Sequence, residues 1–219
     1  MIGKRRESTA AGLGGAKADD ALKISRYVLK NRIANKVLTG GVVGNLFLSA
    51  KGLDLGKPNV EFLQRKELMS FVPGIKALIG EYPERAEVPV DVAVEVNKQR
   101  KEISAKQLPT GYPIFDIGAN TIEKYSETIK SAKSIVLSGP LGVFESKEFE
   151  AGTKKIFKAI ASSKAYSLIG GGDTVSAAEK FHVAQKMGYV STAGGALIEF
   201  LMGEKLPGVV ALEKAAART

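Results

Sequence analysis

The amino-acid sequence predicts an α/β protein: a three-layer αβα arrangement around a Rossmann-like, mostly parallel sheet of about six strands. Three observations predict it. Short β-branched runs alternate with longer segments of helical apolar spacing along most of the chain. About six such runs, separated mostly by helices, call for parallel strands covered on both faces. The glycine-rich turns follow the strands, at the carboxyl ends where sheets of this kind take their ligands.

Lys36–Thr39 reads as a buried strand, followed by Gly40-Gly41 and an apolar helix through about Ala50. Residues 60–80 place Phe62, Leu63, Leu68, Phe71, Ile75, Leu78 and Ile79 at roughly helical spacing, interrupted by Pro73. Residues 89–96 alternate apolar and polar and form a strand. The Lys-rich stretch that follows, up to Thr110, behaves as a hairpin or loop. Ile114–Ile117 is a short strand with a helix behind it over 121–132. Ser134–Ser138 is a strand ending in Gly139-Pro140, and 149–162 is a helix. A strand at 165–169 runs into Gly170-Gly171-Gly172-Asp173-Thr174 and a helix to about Lys186. The strand at 188–192 feeds Ala193-Gly194-Gly195-Ala196 and a last helix to Met202.

Composition removes several classes of function. The chain has 219 residues, 44% of them hydrophobic and 25% charged, an ordinary soluble globular balance. It has no Cys, which excludes a disulfide scaffold, a thiol nucleophile and a Cys-ligated metal. His182, the one histidine, leaves no His cluster for a transition metal, and it reads as structural, on the helix after Thr174. No apolar run approaches a membrane span and no secretory signal opens the chain, so a cytoplasmic protein is expected, without membrane contact. The net charge is +9, and residues 1–36 hold nine basic groups against three acidic ones. That excess suits a phosphate-seeking surface or a solvated arm. With no zinc finger and 7% aromatics beside it, nucleic acid is not the expected partner.

A glycine run between strand and helix lets backbone approach an anion and aims free N–H groups at it. The 170–174 turn reads either as a tight turn with Asp173 and Thr174 capping a helix, or as a phosphate cradle with Asp173 holding Mg²⁺. Neither a Walker run nor a G-x-G-x-x-G fingerprint is present. Lys17 ends a second glycine turn that starts at Gly12. It is either a surface lysine or an ammonium that neutralises a transferring phosphate. Gly139-Pro-Leu-Gly-Val-Phe-Glu145 places a carboxylate behind a constrained loop, suited to accept hydrogen bonds from two ribose hydroxyls.

In order, Gly14-Gly-Ala-Lys17, Thr39-Gly-Gly-Val-Val-Gly-Asn-Leu-Phe-Leu48, Gly139-Pro-Leu-Gly-Val-Phe-Glu145, Gly170-Gly-Gly-Asp-Thr174, Ser191-Thr-Ala-Gly-Gly-Ala196 and Leu206-Pro-Gly-Val-Val-Ala-Leu212 resemble phosphoglycerate kinase. The resemblance covers that enzyme's nucleotide-binding, C-terminal half, from about Gly12 to Leu212, and 97–113 is similar to archaeal members. It implies reversible phosphoryl transfer between 1,3-bisphosphoglycerate and Mg-ADP, giving 3-phosphoglycerate and ATP, in glycolysis. It implies ATP or ADP and Mg²⁺ as cofactors. By the same resemblance Lys17, Gly194 and Gly195 would meet the transferred group, and Gly40 and Gly41 would line the adenine site. Glu145 would hold the ribose. Gly170, Gly171, Gly172, Asp173 and Thr174 would meet the phosphates, with Asp173 on the metal.

The chain departs from the family pattern at Ala21, where many members carry a second lysine, at Ser138, where asparagine is frequent, and at Ala193, where the family has glycine. The expected division is a basic arm or remnant of a missing lobe over 1–11, then a nucleotide-binding domain over 12–219. The family's N-terminal lobe, which binds 3-phosphoglycerate, is not seen in the sequence, and 5–10 makes a poor buried strand. The expected function is therefore the nucleotide half of a phosphoglycerate kinase, poorly active alone. The competing expectation is a non-catalytic nucleotide-binding or scaffolding module derived from it.

Overall fold

A computed structural model describes residues 8–217. In chain order the elements are Thr9–Leu13 (β1), Ala18–Lys30 (α1), Lys36–Thr39 (β2), Gly41–Ala50 (α2), Lys57–Arg65 (α3), Val72–Glu81 (α4), Ala86–Glu87 (β3), Asp91–Val96 (β4), Gln99–Ser104 (β5), Ile114–Ile117 (β6), Ala119–Ser131 (α5), Ser134–Ser138 (β7), Ala151–Ser162 (α6), Tyr166–Gly170 (β8), Gly172–Lys180 (α7), Tyr189–Ser191 (β9), Gly195–Leu201 (α8) and Pro207–Ala216 (α9).

The main sheet has six parallel strands in the order β3-β2-β1-β7-β8-β9. Its two faces are covered separately, because side chains alternate across each strand. Ala11, Leu13 and Val37 pack with α1, α2 and α4, whereas Ala10, Leu38, Ile135 and Leu137 pack with α5, α6 and α7. The three-layer αβα expectation describes this arrangement. Strand order reverses between β1 and β7, which leaves a crevice at their carboxyl ends.

The membership of the sheet differs from the sequence expectation. Two of the runs counted toward six strands, 89–96 and Ile114–Ile117, lie in a separate antiparallel sheet of order β5-β4-β6. Their places in the main sheet are taken by β1 and by the two-residue β3. The 97–110 stretch resolves into a hairpin strand, β5, paired along the whole of β4. Residues 5–10 were expected to be too poor for a buried strand, yet β1 starts at Thr9 and is central. It runs through the expected boundary at 11/12. Small residues make this possible: a Cβ on Gly12 would lie 2.6 Å from Leu137 Cδ1, so the neighbouring strand's side chain fills the space. Most of the expected basic arm lies outside the described residues.

Two helix ends also differ from expectation. The 60–80 helix is broken before Pro73 rather than at it, because proline sits in the first turn of α4, where its missing N–H does no harm. The helix expected to reach Lys186 stops at Lys180. His182 is not on that helix: it takes φ 54 just beyond it, the left-handed conformation that ends helices, and is exposed. The start of α5 is fixed by a buried carboxylate: Asp91 accepts from Asn120 N at 2.9 Å, Thr121 N at 2.8 Å and Thr121 Oγ1 at 2.6 Å. No helix among the described residues is long and apolar enough to cross a membrane.

Candidate functional site

The crevice between β1 and β7 is built by glycine backbone laid against glycine backbone. Gly14 N donates to Ser138 O at 2.8 Å and Gly15 N to Pro140 O at 2.7 Å, joining the turn after β1 to the turn after β7. Gly139 has φ 86, and a Cβ there would strike Gly14 O and C and come within 2.9 Å of Gly15 N. Gly40 N donates to Leu13 O at 3.1 Å and Gly41 N to Leu141 O at 2.7 Å, so the turn after β2 joins the same seam. At Gly14, Gly40 and Gly139 a Cβ would overlap the facing turn, so only hydrogen fits there.

Above the seam lies a cleft of about 50 Å³. Its walls include Gly14, Gly15, Lys17, Asp20, Ala21, Ser138, Gly139, Gly171, Gly172, Asp173, Thr174 and Gly194. Lys17 is the cap position of α1, and its ammonium reaches the turn after β9: a Cβ on Gly194 would sit 3.4 Å from Lys17 Nζ. Both Lys17 and Asp173 are exposed. Two helices, α1 and α7, begin in the cleft wall and turn their positive ends toward it, favouring an anion.

The expected residues divide into those the cleft collects and those it does not. Lys17, Gly171, Gly172, Asp173, Thr174 and Gly194 line it together. Thr174 is buried, and its hydroxyl accepts Gly139 N–H at 2.8 Å, so it also braces β7's turn against α7. Gly170 is buried below the cleft, where a Cβ would strike Leu197 Cδ2. Gly195 is the first residue of α8, with open space around its Cα. Gly40 is shielded by Leu141, whose Cδ2 would stand 2.7 Å from a Cβ there. Gly41 borders a different small hollow with Asn45, Pro89 and Phe115. Glu145 is exposed on the loop between β7 and α6, outside the cleft wall.

Sequence reasoning missed Asp20, which faces the cleft one helical turn after Lys17, a spacing that could have revealed it. It also missed Asp116 and Arg100. Their ion pair, 2.7 Å between Arg100 Nη1 and Asp116 Oδ2, joins residues on different strands, and no motif spacing signals it. Burial raises the Asp116 carboxyl to about 6, against the opposing pull of the Gly152 N–H and the Arg100 guanidinium.

The cleft residues suit a cation that arrives with a phosphate-bearing ligand. Among the described residues no group of three or more His, Cys, Asp or Glu gathers to hold a metal ion. Asp20 and Asp173 are the carboxylates on the cleft, so a hard cation here would need ligand phosphates and water to complete its shell. The glycine turns provide the close backbone approach that phosphates require.

Residues 1–204 match the family model described as "Phosphoglycerate kinase". The chain is 44% identical over 205 residues to the phosphoglycerate kinase of Pyrococcus furiosus, an alignment covering 92% of this chain and 50% of that protein. It is 44% identical over 207 residues to the phosphoglycerate kinase of Methanothermus fervidus, covering 94% of this chain and 50% of that protein. The crystal structure of phosphoglycerate kinase from Pyrococcus horikoshii OT3 superposes with a TM-score of 0.90 at 40% identity, covering 100% of this chain and 54% of that one. The enzyme from Coxiella burnetii gives 0.78 at 33% identity, covering 90% of this chain and 50% of that one. The chain belongs to the phosphoglycerate kinase family, and it spans about half the length of the curated relatives it matches.

Proposed function

From that membership, we propose that this chain is the nucleotide-binding half of a phosphoglycerate kinase. It binds Mg-ADP and Mg-ATP in the cytoplasm. It takes part in reversible phosphoryl transfer with 1,3-bisphosphoglycerate and 3-phosphoglycerate once a second lobe carries the other substrate. The observation that carries this reading is the cleft at the β1/β7 reversal, which brings Lys17, Asp173 and the glycines at 171, 172 and 194 to one place.

Phosphoryl transfer asks little covalent chemistry of a protein; it needs positioning, charge neutralisation and exclusion of water. Lys17 sets an ammonium at the turn after β9, where it neutralises negative charge on the transferred group, and Gly194 keeps that approach open. Gly171 and Gly172 admit the phosphate chain against the start of α7. Asp173, with Asp20 opposite, would hold Mg²⁺, which supplies further neutralisation of phosphate oxygens when bound. Glu145 takes the ribose hydroxyls from the neighbouring loop, and Gly40 and Gly41 stand on the adenine side.

Calorimetric titration with Mg-ADP tests the site. Binding by the unaltered chain that weakens in Lys17→Ala, Asp173→Ala and Glu145→Ala supports the assignment; unchanged affinity in all three refutes it. A coupled assay tests the half-enzyme reading, which requires little turnover by this chain alone and is refuted by full activity. The non-catalytic alternative draws on Ala21, Ser138 and Ala193, which depart from the family pattern, and the first two line the cleft. It predicts binding with no turnover even when a substrate-binding lobe is added.

A further inference from the structure

The loop from Gly139 to the start of α6 carries Glu145, and it rests on a buried carboxylate that no ligand contact above employs. Asp116, on β6, has a fully buried side chain. Its Oδ2 accepts from Arg100 Nη1 at 2.7 Å and from Gly152 N at 2.7 Å, and its Oδ1 accepts from Ile117 N at 2.9 Å. Two glycines on either side of Glu145 close over it. A Cβ on Gly142 would lie 2.6 Å from Asp116 Cγ, and one on Gly152 2.9 Å from the same atom.

The middle of the loop is tied to the same strand. Val143 N donates to Phe115 O at 2.7 Å, and Phe149 packs edge-on against Phe115 with ring centroids 5.2 Å apart. Arg100 completes the support from β5. Its Nη2 donates to Ile117 O at 2.8 Å and to Glu102 Oε1 at 2.9 Å, while Glu102 Oε2 accepts from Ala119 N at 3.0 Å at the start of α5. A buried ion pair is a weak source of stability, since apolar residues of equal volume do as well or better. What it gives instead is direction: the carboxylate bonds the Gly152 N–H beyond the loop and packs closely under Gly142 at its other end.

We infer that Asp116, oriented by Arg100, is a positioning residue that sets where Glu145 stands relative to a bound nucleotide. The inference rests on the nucleotide reading of the site. Asp116 is not part of the wall of the Lys17–Asp173 cleft, and it bonds to the backbone beneath the loop, so the inferred effect passes through Glu145 and its neighbours.

A double-mutant cycle tests it. Mg-ADP affinity is measured by calorimetry for the unaltered chain, Asp116→Asn, Glu145→Ala and the double variant. Amide hydrogen exchange over 139–150 is followed without nucleotide. Asp116→Asn should raise Kd about tenfold beside an intact Glu145, the size expected from one charged hydrogen-bonded contact, and should leave Kd unchanged in the Glu145→Ala background. Exchange should rise over 139–150 while urea unfolding stays cooperative. Arg100→Lys keeps the charge but loses the fork, and should shift both readouts in the same direction by less; it serves if Asp116→Asn does not fold. Equal losses in both Glu145 backgrounds, or unaltered loop exchange in both variants, overturn the inference. An unaltered chain that binds no Mg-ADP refutes the nucleotide reading itself, and the role at the nucleotide with it.

Discussion

Replacing Gly139 by alanine should combine backbone strain with a direct backbone clash in the cleft wall. Gly139 has φ 86, a conformation that costs a residue with a Cβ roughly 1–2 kcal/mol. The added atom would meet Gly14 O, Gly14 C and Gly15 N, the last at 2.9 Å. These are backbone atoms, which cannot rotate aside, and overpacking of this kind typically costs about 1–3 kcal/mol. The two effects together give roughly 2–5 kcal/mol, a large part of the ~5–15 kcal/mol that holds a domain together. At 2–4 °C per kcal/mol for a chain of this size, the melting temperature should fall by roughly 10 °C. Relief would come by parting the β1 and β7 turns, whose bonds from Gly14 N and Gly15 N are 2.8 and 2.7 Å. Nucleotide affinity should fall along with stability. Urea denaturation and scanning fluorimetry, with Gly172→Ala as control, measure this. Gly172 has nothing within 4 Å of a Cβ and an ordinary φ, so alanine there should leave stability unchanged or raise it slightly. A Gly139→Ala variant as stable as the control would refute the reasoning that the seam permits no side chain.

Three further outcomes follow from buried polar contacts. Thr174→Val removes the hydroxyl that accepts Gly139 N–H at 2.8 Å, leaves a donor unpaired, and should lower unfolding free energy by about 1–3 kcal/mol; Thr174→Ser should restore most of it, by urea titration. Asp91→Ala strips the start of α5 of its carboxylate and should cost about 2 kcal/mol, with increased amide exchange in the first turn of α5. Asp116 shifts from 3.8 to about 6 on folding, chiefly by burial, so between these values the native state holds a proton the unfolded chain has released. Its contribution therefore falls as pH rises from about 4 to about 6, by roughly 3 kcal/mol in all at ~1.4 kcal/mol per unit. The difference between stability–pH curves of the unaltered chain and Asp116→Asn should show that slope, and parallel curves would contradict it.

The elements that sequence reasoning placed well are those whose cause is local. Gly170-Gly171-Gly172-Asp173-Thr174 marks a strand end and a helix start because glycine admits φ 98 at Gly171 and the next residues suit a first helical turn. The Lys17 turn is legible for the same reason. Alternation over 89–96 was visible too, and it carried an unused signal: strands of a two-faced parallel sheet read as continuous apolar runs, whereas alternation suits the antiparallel sheet where β4 lies. By contrast, β1 reads poorly because Thr9, Ala10, Ala11 and Gly12 are small, and their value lies in what they let approach. The two residues of β3 are too few to show any period.

The sequence by itself determined an α/β chain with glycine turns after its strands, a lysine and an aspartate beside two of them, and a motif order shared with one enzyme family. Only the tertiary structure decided that the turns after β1, β7 and β8 meet. That meeting depends on registers such as Thr9↔Ser134 and Ser134↔Tyr166, which backbone ladders set between residues far apart in the chain. It decided as well that Thr174 braces the turn after β7, and that a buried pair from two other strands, Arg100 and Asp116, underlies the Glu145 loop. Turn conformation is fixed by the side chains within a few residues, and sequence reports it. The partners of a buried carboxylate are fixed by how sheets and helices stack, and only the folded chain shows them.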